Sequence, residues 1–195
     1  MFPRHSWFLG YSFVCAWLFA IGAPAKDWPQ WGGTESKNMA SDEKGLPSSF
    51  EPGEKDPRGG GIRMETTKNV RWAIAVGNNT CGTPAVAGGK VFIGTVHKRE
   101  GVLLCLSERT GKRLWQWKMP GRTDVPRRIG DRQFNFGGCQ ASLGVCSTPL
   151  VEGDRVYFVN SRCEVTCLDA RGDPHGPEDN NARVLWTFDM WKAGV

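Results

Sequence analysis

Two stretches of this chain repeat each other. Residues 83–92 read TPAVAGGKVF, and residues 148–157 read TPLVEGDRVY, with the same Thr-Pro start, central turn and β-rich end. Each copy continues to a Cys-Leu pair and then to a Leu-Trp pair; these are Cys105-Leu106 with Leu114-Trp115, and Cys167-Leu168 with Leu185-Trp186. A unit of this size cannot bury its own apolar face, so its neighbours must stack on it. The repeat therefore predicts an array or a propeller rather than a solitary domain.

The first copy predicts a four-stranded antiparallel unit. A short strand starts near Pro84, where a missing N–H is tolerated, and ends at a Gly88-Gly89 hairpin turn that suits positive φ at both positions. Three further strands follow at residues 90–95, 102–106 and 113–119. The last alternates, which puts Trp115 and Trp117 on one face and leaves Gln116 and Lys118 on an exposed face.

The second copy predicts four strands in the same order, at residues 149–151, 156–159, 165–168 and 184–188. Two loops differ in length: residues 119–144 separate the copies, and residues 170–182 interrupt the second copy's last hairpin. Ahead of both copies, residues 69–76 are interpreted as an outer strand that closes a propeller. The predicted organisation is a closing strand at 69–76, one blade at 81–119 and one blade at 146–190.

The N-terminus predicts export. Residues 1–25 have a basic Arg4, an apolar stretch and a small-x-small Ala23-Pro24-Ala25 site, as in a cleaved signal peptide; a retained anchor is the alternative. Residues 26–68, rich in Gly and Pro, predict an extended surface arm. The net charge of the chain is only +5, and its basic residues are not clustered in one block, which argues against a nucleic-acid partner. No membrane span is expected after signal removal.

The segment 105–115 resembles the tryptophan-docking motif of pyrroloquinoline quinone (PQQ)-type repeats, Ala-x-Asp-x-x-Thr-Gly-Lys-x-x-Trp. The corresponding residues are Cys105, Ser107, Thr110, Gly111, Lys112 and Trp115 in the first copy and Cys167, Asp169 and Trp186 in the second. Residues 27–33 and 67–72 also look like segments of exported PQQ-binding-like β-propeller proteins. The resemblance implies an all-β propeller of eight four-stranded blades, within the quinoprotein alcohol dehydrogenase-like superfamily. The chain is then interpreted as an N-terminal fragment with about two of those blades; a natural short chain that assembles or stays partly open is the alternative.

The repeat tryptophans are interpreted as packing residues. Trp72, Trp115 and Trp186 occupy equivalent outer positions, which favours packing between blades over stacking on a quinone. We expect the Trp115 indole to cover the Thr110-Gly111 turn and the neighbouring sheet.

The cysteines suggest structure rather than catalysis. Cys105 and Cys167 hold equivalent strand positions, where cysteine acts as a small hydrophobe, and one blade apart they are too distant to bridge. Cys139 and Cys146, separated by a Gly-containing stretch, are the best disulfide candidates in an oxidising compartment. No Cys/His spacing in the sequence fits a zinc site.

Two loops could carry a ligand or partner. The inter-blade loop holds Arg122, Arg127, Arg128 and Arg132 with Phe134 close by, a candidate partner site whose alternative is a solubilising loop. Residues 173–181 offer oxygen donors to calcium, although their spacing fits no known calcium loop and a solvated loop is favoured. His97 and His175 fall in predicted loops and are interpreted as solvated.

Two functions remain open at this point. The first is a periplasmic or secreted, non-catalytic propeller that needs no cofactor and binds a protein or another envelope ligand. The alternative, implied by the resemblance, is a quinoprotein oxidoreductase that uses PQQ and Ca²⁺ to oxidise an alcohol or sugar. Such enzymes carry an adjacent-cysteine disulfide, and this sequence contains no Cys-Cys dipeptide. The non-catalytic platform is therefore favoured.

Overall fold

The computed structural model describes residues 26–59, 61–97, 100–119 and 144–194. The predicted leader, Cys139 and the candidate partner loop with Arg127, Arg128, Arg132 and Phe134 lie outside these ranges. Within them, no helix has the length and apolarity that crossing a bilayer requires.

The N-terminal arm touches both repeat units. It contains a two-stranded ribbon, β1 (Glu54–Lys55) with β2 (Ile62–Arg63), and a 3₁₀ turn over Met64–Thr66. Trp28 exchanges two backbone hydrogen bonds with Val86, at 2.7 and 2.9 Å, and the carbonyl of Pro29 accepts from Val151 N at 2.8 Å. The arm therefore pairs with an edge strand of each unit, which protects those strands from unwanted pairing.

The first copy forms one antiparallel sheet of four strands. Its strands are β3 (Ala85–Ala87), β4 (Lys90–His97), β5 (Glu100–Ser107) and β6 (Arg113–Lys118), hydrogen-bonded in that order. Gly88 and Gly89 have φ values of 57° and 72°, which confirms the predicted hairpin turn. The four-stranded unit predicted from the repeat is confirmed.

The second copy forms an equivalent sheet. Its strands are β7 (Leu150–Glu152), β8 (Arg155–Val159), β9 (Glu164–Asp169) and β10 (Arg183–Asp189), again in chain order, followed by a single helical turn, α1 (Met190–Ala193). In both sheets the leucine of the Leu-Trp pair sits at a register shift, opposite no partner residue. These equivalent β-bulges leave Leu114 and Leu185 exposed, and they bend the strand just before the tryptophan.

The main core lies between the two sheets. The first sheet contributes large buried side chains that face those of the second, so each sheet buries a face that it could not bury alone. The facing groups are Phe92, Leu103, Cys105, Trp115 and Trp117 on one side, and Val151, Val156, Phe158, Leu168 and Ala170 on the other. The sheets are thus two stacked blades.

A smaller core covers the opposite face of the first blade. Val102, Leu104 and Leu106 are buried there, with Trp72 and Val76 packed against them. Residues 69–76 form no strand here, and their predicted pairing with the last blade of a closed propeller stays a prediction. A strand needs a neighbour's N–H and C=O groups, and this segment lies along the blade face through its side chains instead.

Candidate functional site

Trp115 docks onto the second blade. Its side chain is 2% exposed, and its indole Nε1 donates to the Ala170 carbonyl at 3.1 Å. A Cβ placed on Gly172 would lie 2.5 Å from Trp115 Cδ1, so only glycine allows this approach. The Phe92 ring packs beside the indole with centroids 5.8 Å apart. Trp115 is therefore a contact between blades, as its position in the repeat predicted.

The turn of the first blade is covered by a different tryptophan. Trp72 Nε1 donates to the Glu108 carbonyl at 2.7 Å, and a Cβ on Gly111 would lie 2.7 Å from the Trp72 ring. The expectation that Trp115 covers its own Thr110-Gly111 turn is wrong. The reason is that Trp115 projects from the face of β6 that is stacked on the second blade, away from its own turn.

The two docks follow one rule: each tryptophan covers the turn that follows the Cys-Leu pair of the next blade. Glu108 and Ala170, the acceptors, each lie three residues after the cysteine of their copy. Trp186, the third equivalent tryptophan, is 44% exposed, and its ring centroid lies 6.0 Å from that of Tyr157. The repeat pattern identifies the tryptophans but not these carbonyls, although both carbonyls lie at the same spacing from the cysteine of their copy.

The remaining motif residues of the first blade build the docked turn. Gly111 has φ 70° and donates its N–H to the Ser107 carbonyl at 2.8 Å. Thr110 Oγ1 accepts from Lys112 N at 3.3 Å, and Ser107 N donates to the Lys112 carbonyl at 2.8 Å. The motif therefore fixes the turn that presents the Glu108 carbonyl to Trp72.

In the second blade Asp169 stabilises the equivalent turn. Its carboxylate is buried and accepts three hydrogen bonds from Arg171, from the backbone N, Nε and Nη2, each at 2.9 Å. Hydrogen bonding from the Arg171 side chain lowers the pKa of Asp169 to about 2, against the opposing effect of burial. The carboxylate thus organises the turn that carries the Ala170 carbonyl.

Asp169→Asn should destabilise the protein in a pH-dependent way. The pKa of Asp169 is lower in the folded state than its ordinary value of 3.8. The ionised carboxylate therefore stabilises the fold above pH 3.8, and this contribution is lost as the pH falls towards 2. We expect a loss of about 1–2 kcal/mol at pH 7, since the Arg171 partner is largely exposed. Urea denaturation at pH 7 and pH 2.5 measures the difference. Asp154→Asn, an exposed partner 3.9 Å from Arg171, is the control. A loss of the same size at both pH values would contradict the assignment.

The two repeat cysteines are buried. Burial raises the pKa of Cys105 to about 12, with the Lys90 charge acting weakly in the opposite direction. Burial also raises the pKa of Cys167, opposed by the Arg155 charge and a hydrogen bond from Tyr157. Both thiols stay protonated at neutral pH, and a protonated, buried thiol is a poor nucleophile and metal ligand.

The long loop of the second blade covers the edge of the first. Asn181 Oδ1 accepts from Gln116 N at 3.1 Å, and Asn180 Oδ1 accepts from Lys118 N at 2.9 Å. Asp179 accepts from the Lys118 ammonium at 2.8 Å, and the Ala182 N–H donates to the Gln116 carbonyl at 3.1 Å. The loop is therefore not simply solvated. Its polar groups complete the hydrogen bonding of edge strand β6.

Because of this loop, Gln116 is buried rather than exposed as the alternation predicted. Gln116 does point away from Trp115, as the alternation predicted, but it is 7% exposed because its Nε2 donates to the Asp179 carbonyl at 2.5 Å. The contact is 63 residues away in sequence, so no local pattern indicates it.

A cleft of about 440 Å³ lies between residues 74–77, the outer face of the first blade and this loop. Its floor is apolar, and its rim carries His97 and charged groups of both signs, which are Arg113, Lys118, Glu178 and Asp179. Across the described ranges, no three His, Cys, Asp or Glu residues come close enough to hold a metal ion.

Comparison with solved structures places these sheets among propeller blades. The quinohemoprotein alcohol dehydrogenase of Comamonas testosteroni aligns with a TM-score of 0.52 and 16% identity, over 85% of this chain and 20% of that one. BamB from Moraxella catarrhalis aligns with a TM-score of 0.35 and 18% identity, over 56% of this chain and 24% of that one. This chain therefore spans about a quarter or less of the length of these structures.

Comparison by sequence gives the family. No curated protein matches the chain. The family model described as "Outer membrane protein assembly factor BamB" matches residues 62–174, more than half of the sequence. That match covers the first blade, the docked turns and the first three strands of the second blade, so the chain belongs to this BamB-like family of PQQ-like β-propeller repeat proteins.

Proposed function

We propose that this chain contributes to an exported, non-catalytic β-propeller that serves as a binding or scaffolding platform in the cell envelope. The proposal rests on the observation that the residues of the repeat motif serve in packing and in turns. Trp72 and Trp115 dock blades, Gly111 and Gly172 admit the indoles, and Asp169 holds a turn. These residues build a rigid surface rather than reacting groups.

The cell-envelope location has two further supports. The N-terminal sequence has the pattern of a signal peptide, and the family description names an outer-membrane assembly factor. A platform of this kind binds its partner through exposed loops and blade edges, while the blades keep those surfaces in fixed positions. The candidate partner loop, with Arg127, Arg128, Arg132 and Phe134, is the segment that we assign to partner contact.

The first test separates the platform from a quinoprotein enzyme. Purified full-length chain is titrated with PQQ in the presence of CaCl₂, with a quinoprotein dehydrogenase as positive control, and the melting temperature is recorded. We expect no saturable shift in this chain. A ligand that binds only the folded state stabilises it by RT ln(1+[L]/Kd), so a saturable rise would overturn the non-catalytic assignment.

The second test addresses the platform directly. A photo-crosslinking residue is placed in the exported protein at exposed Val159 or Leu185, or at Arg128, and at buried Trp117 as control. We expect discrete cross-linked protein species from at least one of the first three positions and none from Trp117. Absence of any species from Val159, Leu185 and Arg128 alike would contradict the platform.

A further inference from the structure

The segments that lead into the first strand of each blade are also repeats of each other. Residues 81–84 read Cys-Gly-Thr-Pro, and residues 146–149 read Cys-Ser-Thr-Pro. Each copy therefore places a cysteine at the same point, three residues before the proline. This equivalence is independent of the buried Cys105 and Cys167 pair, which lies further along the repeat.

The structure brings these two segments side by side. Thr83 N donates to Thr148 Oγ1 at 3.1 Å. A Cβ placed on Gly82 would lie 2.6 Å from the Ser147 carbonyl oxygen and 3.0 Å from that of Cys146. The two segments are thus in direct contact one residue after Cys81, and the glycine at position 82 allows this approach.

We propose that Cys81 and Cys146 form a disulfide that joins the two blades where their first strands begin. The Cα of Cys81 is about 3.8 Å from that of Gly82, and a Cβ on Gly82 would lie 3.0 Å from the Cys146 carbonyl oxygen. The bond requires the Cα atoms of Cys81 and Cys146 to come within roughly 4.4–6.8 Å of each other. Cys81 is an exposed thiol. Neither residue lies within a strand, so no ladder hydrogen bond opposes the small adjustment that closure needs.

The reaction is thiol–disulfide exchange with a small disulfide oxidant. The Cys81 thiolate attacks one sulfur of the oxidant and releases the other as a thiolate, leaving a mixed disulfide. The Cys146 thiolate then attacks the Cys81 sulfur and releases the second half of the oxidant. The two protein thiols together lose two protons and two electrons, and the oxidant is reduced to two thiols. The oxidising envelope of the proposed function would supply such an oxidant, but the chemistry itself does not require that location.

The bond differs from the Cys139–Cys146 pair that the sequence favoured. Both possibilities use Cys146, so they exclude each other in one molecule. Oxidation to a Cys81 link ties residues 65 positions apart in sequence, whereas the Cys139 link would close only a short local loop. The longer loop restricts the unfolded chain more and joins two separate blades.

Peptide mapping tests the proposal in defined redox buffer, so a negative result does not bear on the platform function. Full-length chain is equilibrated with oxidised glutathione, alkylated without reduction and digested with trypsin. We expect peptide 72–90 linked to peptide 133–155. Because the second peptide contains both Cys139 and Cys146, the link should persist in Cys139→Ser and disappear in Cys146→Ser and Cys81→Ser. Cys163→Ser, which removes the other exposed thiol, should leave the link intact.

Thermal unfolding gives a second readout. Reduction should lower the denaturation temperature of the oxidised wild-type chain by roughly 5–15 °C, and it should have no such effect on Cys81→Ser. A Cys139–Cys146 link, or stable glutathione adducts on Cys81 without the inter-peptide link, would overturn the proposal. Loss of the link in Cys139→Ser would do the same.

Discussion

Trp115→Ala should lower the free energy of unfolding by about 3–5 kcal/mol, a large share of an ordinary domain's stability. The side chain is almost fully buried between the blades, contacts Phe92 and Gly172, and donates to the Ala170 carbonyl. Truncation leaves a cavity and removes that donor from a carbonyl that lies inside the interface. Urea denaturation followed by circular dichroism measures the loss, and failure to accumulate as soluble protein is its extreme form.

Trp186→Ala is the matched control for this substitution. Trp186 is the same residue at the equivalent strand position, opposite Cys167 as Trp115 is opposite Cys105. It is 44% exposed, however, so its removal should cost less than about 1 kcal/mol. Equal losses for the two variants would show that burial between the blades does not distinguish them, and the docking rule would fail.

The sequence predicted the local elements well because their causes are local. The Gly88-Gly89 turn follows from the φ values that a two-residue hairpin needs, and the strands follow from alternation and β-branched residues. The burial of Trp115 and Trp117 on one face follows from a period of two. These features need no knowledge of what lies on either side of the sheet.

The contacts between blades could not be predicted in the same way. The motif identifies a tryptophan and a turn, but its spacing is compatible with a tryptophan that covers its own turn or the next one. The structure resolves this because Trp72 occupies the Gly111 turn and Trp115 occupies the Gly172 turn. The burial of Gln116 is hidden from the local pattern for a related reason, since the loop that covers it belongs to the other blade.

The same separation limits the prediction of function. Side chains that look reactive in the sequence, such as Asp169 and Cys105, are used for local structure, and this appears only once their neighbours are known. The loop at residues 173–181 offered oxygen donors to a cation, yet its Asn180 and Asn181 oxygens accept from the backbone of β6. A short polar loop does not specify from its own sequence whether it meets an ion or an unpaired strand edge.

The turn that receives Trp115 gives the second large effect. Gly172 has φ 76°, where a side chain is strained, and its Cβ would also lie 2.5 Å from Trp115 Cδ1. Gly153 has φ 56°, but a Cβ there would meet no atom within 4 Å. Gly153→Ala therefore measures backbone strain alone, about 1–2 kcal/mol, whereas Gly172→Ala adds an overpacking cost of about 1–3 kcal/mol.

The double variant Gly172→Ala with Trp115→Ala measures the contact between Gly172 and the Trp115 indole by itself. Removing the indole removes the atom that the new methyl group strikes, so the two substitutions should together cost less than the sum of their separate losses in the free energy of unfolding. The pair Gly153→Ala with Trp115→Ala, which involves no shared contact, should be additive within about 0.5 kcal/mol. Urea denaturation of the three single and two double variants against wild type measures both cycles. Additive losses in the Gly172 cycle would mean that the indole does not rest on this glycine, and the docking of the first blade onto the second would have to be reassigned.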